Sequence, residues 1–107
     1  MDGSSDIQTL QHFIGGEWVS AEDGCTITSY NPLDDSVYCR AAAGTSNDMR
    51  KAISAARDAF PSFKDTTPTQ RERMLLRAAE LLEERQDQIL ACLIDEIGSP
   101  IGKAKFE

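Results

Sequence analysis

The segment from Pro68 to Ile97 constrains this chain most, because its helical apolar face is too wide for one neighbour. At about 100° per residue, Met74, Leu75, Leu76, Ala78, Ala79, Leu81 and Leu82 cover roughly 220° of a helix. A helix lying on a single partner needs only about half that width. Ile89 to Ile94 is then apolar without interruption, since Cys92 behaves as a small hydrophobe when buried. Helices of this kind must be covered from more than one side. The remaining residues offer only short strands and one further helix as cover, so more chain or another subunit would have to supply the rest.

The other elements follow from turn and cap signals. Residues 1–11 read as a flexible leader, polar and rich in Gly, Ser and Asp over its first half. His12-Phe13-Ile14 and Glu17-Trp18-Val19 flank Gly15-Gly16, the pattern of a two-residue β-hairpin. Thr26 to Tyr30 alternates and is β-branched, so it reads as a strand that Asn31-Pro32 stops. Val37 to Ala43 reads as another strand, ended by Gly44. Thr45 or Ser46 caps a helix whose Met49, Ala52, Ile53, Ala56 and Phe60 form one stripe, and Pro61 is expected to end it. A polar connection follows, Ser62 to Thr67. Thr67-Pro68-Thr69-Gln70 then starts the second helical region, with Thr at the cap, Pro at the first position and Gln as in a capping box. The polar run 83–88 predicts a kink or break within it, and Gly98 and Pro100 stop it. Residues 102–107 could begin one more helix.

Charge and cysteine usage narrow the function classes. Eleven Lys and Arg stand against 18 Asp and Glu, a net charge of −7, which argues against nucleic acid or an anionic membrane as the main partner. No stretch of about 18 apolar residues exists, so no membrane-spanning segment is expected. The start of the chain is acidic, unlike a signal or transit peptide. The three cysteines, Cys25, Cys39 and Cys92, are odd in number and lack a C-x-x-C spacing. Together these predict a cytoplasmic protein with free thiols.

No catalytic set emerges from residue types and spacing. His12 is the single histidine and has no nucleophile elbow beside it; a hairpin surface role is expected. Cys39 and Cys92 lie in apolar sequence and are expected to be packed, with Cys25 exposed after a turn. Gly15-Gly16 lacks the Gly-x-Gly-x-x-Gly spacing and no helix follows it. Asp95 and Glu96 are neighbours that would point about 100° apart on a helix, so they form no acid/base pair. Arg71, Arg73, Arg77 and Arg85 alternate with Glu72, Glu80, Glu83 and Glu84, as on a solvated, ion-paired face.

Set in order, five pieces of the chain resemble the N-terminal part of the NAD(P)-dependent aldehyde dehydrogenase superfamily. They are Phe13 to Val19, Asn31-Pro32, Ala52 to Phe60, Arg71 to Ala79, and Glu96 to Pro100. The resemblance covers residues 12–107. Phe63 stands where the family often has Trp, and Gly98-Ser99-Pro100 stands where it often has Gly-Lys-Pro. Gly98-Ser99, followed by Lys103 to Glu107, looks more like the branch acting on aromatic aldehydes such as vanillin or benzaldehyde.

The resemblance implies an α/β fold: a β-hairpin and short strands, then a helix and a long kinked helical pair. It implies that 12–107 is an incomplete N-terminal portion of a coenzyme-binding domain. The implied reaction oxidises an aldehyde to an acid with NAD or NADP, through a cysteine nucleophile and a glutamate-activated water. The family places those residues and the dinucleotide contacts downstream of the matched segment, so none of the three cysteines inherits the nucleophile's role. An aldehyde substrate and a homo-oligomer are implied for the complete protein. One family site reaches this segment: a structural Na+ or K+ held by carbonyl oxygens, which maps onto Ser29, Tyr30 and Glu96. A strand end and a helix end also explain these three residues, and with the later ligand outside the segment that reading is the favoured one. The 107-residue chain alone is expected to be inactive. A stand-alone, non-catalytic module that binds a partner through its apolar helix faces is the alternative.

Overall fold

Paired glycines at the first tight turn set the geometry of the opening hairpin. In the computed structural model, which describes residues 6–107, β2 (His12–Ile14) and β3 (Glu17–Val19) pair antiparallel around Gly15 and Gly16. Both glycines have positive φ, +63° and +84°, the combination a type I′ turn requires. Phe13 stands opposite Trp18, with ring centroids 4.8 Å apart and planes tilted by 54°. Both rings are more than half exposed, so the pair holds the hairpin together without being covered.

A separate three-stranded sheet has the order β1-β5-β4. β4 (Thr26–Tyr30) runs antiparallel to β5 (Val37–Ala42), with Ser29 level with Cys39 and a register shift between Ser29 and Tyr30. The turn between them is built by side chains. Asn31 Oδ1 accepts from the Leu33 amide, and Asp34 Oδ1 accepts from the amide and hydroxyl of Ser36. Those two bonds hold the Asp34 carboxyl below its ordinary pKa.

β1 (Gln8–Leu10) is a correction to the expected leader. Residues 1–5 lie outside the described residues, but Gln8 to Leu10 pair in parallel with Cys39 to Ala41. All three side chains of β1 are exposed. The strand is held through main-chain bonds to the free edge of β5, and no apolar alternation marks it in the sequence.

α1 (Ser46–Lys64) starts at Thr45, whose hydroxyl accepts from the Asp48 amide while the Asp48 carboxylate accepts from the Thr45 amide. It does not end at Pro61, as its sequence predicts, but runs on to Lys64. Proline removes one donor and disturbs one turn, and that turn is already the last. Arg71 then braces the end: Nη2 donates to the carbonyls of Phe63 and Lys64, Nε to the Thr66 hydroxyl, and the guanidinium lies 5.2 Å from the centre of the Phe63 ring.

α2 (Pro68–Glu84) carries the expected Thr67–Gln70 capping box and Pro at its start. It breaks at Arg85, inside the polar run, where the backbone leaves helical geometry (φ −102°, ψ 15°). α3 (Gln86–Cys92) continues into one π-helical turn, Leu93–Ile97, closed by Gly98 at φ +76°. α4 (Ile101–Phe106) ends the described chain.

These elements enclose almost no core. Among the described residues, the buried hydrophobic ones are Ala21, Cys39 and Ala104, all small, and no large side chain is fully buried. α2 has no buried residue at all; Leu75 is 72% exposed. The radius of gyration is 17.5 Å, against about 13 Å for a compact chain of this length. The surface of 8615 Å² compares with about 5,900 Å² for a folded monomer of this mass. Roughly 2,700 Å² of the kind of surface that other proteins bury therefore stands open. The over-wide apolar helix read from the sequence is a physical fact of the fold.

Candidate functional site

Two joints bring polar groups together. The first lies where the β2–β3 hairpin meets the start of α1. Asp48 is buried although charged, and its carboxylate accepts from the Glu22 amide with both oxygens (3.2 and 3.1 Å) and from the Thr45 amide (2.9 Å). The Glu22 carboxylate in turn accepts from the Thr45 hydroxyl and from Asn47 Nδ2. The amides of Thr45 and then Glu22 hold the Asp48 carboxyl below its ordinary pKa. His12 Nε2 lies 3.9 Å from Asp48 Oδ2, too far for a hydrogen bond, and this buried atom has no hydrogen-bond partner among the described residues. The His12 ring packs beside Gly44, where a Cβ would lie 3.5 Å from Cε1 and Nε2, an ordinary contact.

The histidine expected on a hairpin surface is therefore wedged against a carboxylate. The Thr45-x-x-Asp48 spacing signals the cap, but no local signal ties Asp48 to Glu22 or His12. An open depression of about 290 Å³ lies here, lined by His12, Phe13, Ile14, Asp48, Met49 and Ala52 among others. It holds a carboxylate, one imidazole and the Thr45 hydroxyl, which donates to Glu22 and accepts from the Asp48 amide.

The second joint lies where the end of β4 meets the end of the π turn. The register shift at Ser29/Tyr30 interrupts the β4–β5 ladder, which disturbs the pairing of main-chain groups there. Gly98 abuts the Pro32 ring so closely that a Cβ on Gly98 would lie 3.0 Å from Pro32 Cγ. Burial pushes the Cys39 thiol up, and the nearby charges of Glu96 and Cys92 add to that. Gly98 N donates to the Ile94 carbonyl, as in an αL cap, and Ser99 N donates to the Leu93 carbonyl, one residue wider than the usual Schellman bond. The Glu96 carbonyl lies beyond them, in the last turn, where a helix offers no internal donor. Ser99 is buried and its hydroxyl has no hydrogen-bond partner among the described residues.

Tyr38 and Cys92 complete this joint. The Tyr38 hydroxyl donates to Cys92 Sγ at 3.2 Å, and that bond, with burial and nearby negative charge, pushes the phenol up to about 12. Cys92 is exposed, not packed as its apolar sequence predicts, because the face of α3 that carries it is uncovered. Cys25 is exposed, and the Asp23 charge beside it raises its thiol pKa. Thiols held protonated in this way are poor nucleophiles at neutral pH.

Among the described residues, no three His, Cys, Asp or Glu side chains are grouped so as to hold a metal ion. Main-chain oxygens are what the second joint offers, and they suit a hard monovalent cation. Gly15-Gly16 turns one strand back onto another, so no helix N-terminus stands behind it to face a phosphate. No helix among the described residues is long and apolar enough to cross a membrane.

This arrangement, a β-hairpin and a three-stranded sheet followed by helices, is shared with aldehyde dehydrogenases of known structure. An NAD-dependent benzaldehyde dehydrogenase from Corynebacterium glutamicum superposes with a TM-score of 0.85 at 38% identity, over 90% of this chain and 21% of that one. The vanillin dehydrogenase of Corynebacterium glutamicum is 38% identical over 101 residues, 94% of this chain and 21% of its own length. The D-glyceraldehyde dehydrogenase (NADP(+)) of Thermoplasma acidophilum is 35% identical over 95 residues, 89% of this chain and 19% of its own. The sequence profile of the aldehyde dehydrogenase family matches residues 18–107, and the chain belongs to that family. It spans about a fifth of the length of these relatives.

Proposed function

We propose that this chain is the opening portion of the coenzyme-binding domain of an enzyme that oxidises an aldehyde to a carboxylic acid with NAD or NADP. The observation that carries this reading is the superposition on a solved benzaldehyde dehydrogenase over 90% of the chain, with a TM-score of 0.85. In that reading the nicotinamide accepts the hydride, and residues 12–107 provide scaffold. Their open apolar faces are the surface on which the remainder of the domain packs. Aromatic aldehydes are the favoured substrate class, because the relatives named for benzaldehyde and vanillin are 38% identical to this chain. The relatives are named for both NAD and NADP.

Incubated alone with NAD+ or NADP+ and benzaldehyde or vanillin, the 107-residue chain is expected to form no fluorescent NAD(P)H. Turnover that disappears when Cys25, Cys39 or Cys92 is changed to serine would sink this assignment of roles.

The carbonyls of Ser29, Tyr30 and Glu96 are proposed to hold a structural Na+ or K+. The interrupted ladder at Ser29/Tyr30 and the contact of Pro32 with Gly98 support this. Thermal unfolding in NaCl or KCl is expected to have a higher midpoint than in choline chloride at equal ionic strength. Identical midpoints in the three salts would remove the proposal.

A further inference from the structure

Asp23-Gly24 is a chemically labile pair in an accessible turn. Both residues are exposed. A glycine after an aspartate leaves its amide nitrogen unscreened, and nothing lies within 4 Å of the point where a Cβ on Gly24 would stand. That nitrogen can attack the side-chain carbonyl carbon of Asp23. The new N–Cγ bond closes a succinimide ring, and the carboxyl hydroxyl leaves with the amide proton as water. Water then opens the ring at either carbonyl. One opening returns aspartate; the other leaves isoaspartate, whose main chain runs through Cβ and Cγ. No oxidant or cofactor enters, and the mass of the product is unchanged.

Folding holds both reacting groups in other bonds. Gly24 N donates to the Ala21 carbonyl (2.9 Å), and Asp23 Oδ1 accepts from the Cys25 amide (2.9 Å). Ring closure breaks both, because the amide proton is lost and the carboxyl swings back over Gly24 N. The turn is also fixed at each end. Ala21 is buried, and both Asp48 oxygens hold the Glu22 amide. The Glu22 carboxylate accepts from Thr45 and Asn47 at the start of α1. On the far side the Cys25 carbonyl accepts from the Ala43 amide, just past β5. Local opening of the turn therefore begins with release of Glu22 from Asp48.

We infer that Asp23-Gly24 is a site of spontaneous isomerisation to isoaspartate, kept latent by the clamp of Asp48 on Glu22. The extra main-chain carbon falls between the Glu22 anchor and β4, so modification strains the clamp that had held it back. The inference rests on the turn and its anchors and does not depend on the oxidoreductase reading.

The test is incubation of the 107-residue chain at mildly acidic pH and physiological temperature, with isoaspartate at Asp23 counted by peptide mapping and electron-transfer fragmentation. Chymotryptic cleavage after Trp18 and Tyr30 separates Asp23 from the other Asp-Gly pair, Asp2-Gly3, which lies outside the described residues. The rate in native buffer is expected to be at least ~10-fold below the rate in urea. Asp48→Ala is expected to raise the native rate about 10-fold, the scale of losing a hydrogen bond to a charged group. Asp48→Asn keeps one acceptor oxygen and is expected to fall between the parent and Asp48→Ala. Gly98→Ala, which strains the other joint, is expected to leave the rate at the parent's value, with circular dichroism showing that the variants keep their helices. A native rate equal to that in urea overturns the inference, as does an Asp48→Ala rate equal to the parent's. Faster isomerisation in Gly98→Ala than in Asp48→Ala also overturns it, since global unfolding and not the clamp would then open the turn.

Discussion

Gly98→Ala is expected to lower the thermal unfolding midpoint of the chain by about 10 °C or more. Two costs act together at this position. Gly98 sits at φ +76°, where an L side chain meets its own carbonyl at a cost of about 1–2 kcal/mol. The new Cβ would also lie 3.0 Å from Pro32 Cγ, and a ring fixed by its own backbone yields little. Overpacking of this kind adds about 1 kcal/mol or more. A double-mutant cycle separates the two: Pro32→Ala in the Gly98→Ala background should recover the contact cost and leave the backbone cost. A midpoint within a degree of the parent would mean that the π turn and the Asn31-Pro32 turn are not packed as described. That result would also remove the geometric basis of the cation proposal, since Gly98 and Pro32 hold its two halves together.

Asp48→Ala is the second large effect expected, a midpoint several degrees lower at neutral pH. The substitution removes acceptors for the amides of Glu22 and Thr45 and the reciprocal half of the α1 capping box. It also removes the carboxylate facing His12 Nε2.

The pH dependence has a definite sign. The folded-state pKa of Asp48 lies below its ordinary value of 3.8, so folding favours the ionised form. Its contribution is fully present above the unfolded pKa, about 3.9. It is lost as pH falls from there through the depressed folded value. The difference in midpoint between parent and Asp48→Ala should thus be constant from about pH 5 to 7 and shrink below about pH 4. Asp34, depressed by Ser36, contributes a dependence of the same sign in both proteins and cancels in the difference. A gap that stays constant down to pH 2 would contradict the role given to the Asp48 charge.

Local chemistry was legible wherever one residue and its near neighbours suffice. Gly15-Gly16 needed only positive φ to make the hairpin. Thr45 and Thr67 needed only a partner three residues on to cap their helices. The break near Arg85 followed from a polar run that offers no face to bury. Two elements were missed for opposite reasons. β1 has no side-chain signal, because main-chain bonds to a strand some 30 residues later hold it. Pro61 carries a strong signal that context overrides, because it falls in the last turn and Arg71 satisfies the carbonyls there.

The sequence by itself determined the order and type of most elements, the family they belong to, and the excess of apolar helix surface. Each of these depends on residues within a few positions of one another, or on a pattern repeated along one helix. Only the tertiary structure decided which distant groups meet: Asp48 with Glu22 and His12, Tyr38 with Cys92, and Gly98 with Pro32. Those meetings join residues 26 to 66 positions apart, set by how sheet and helices stack, and no short-range preference encodes them.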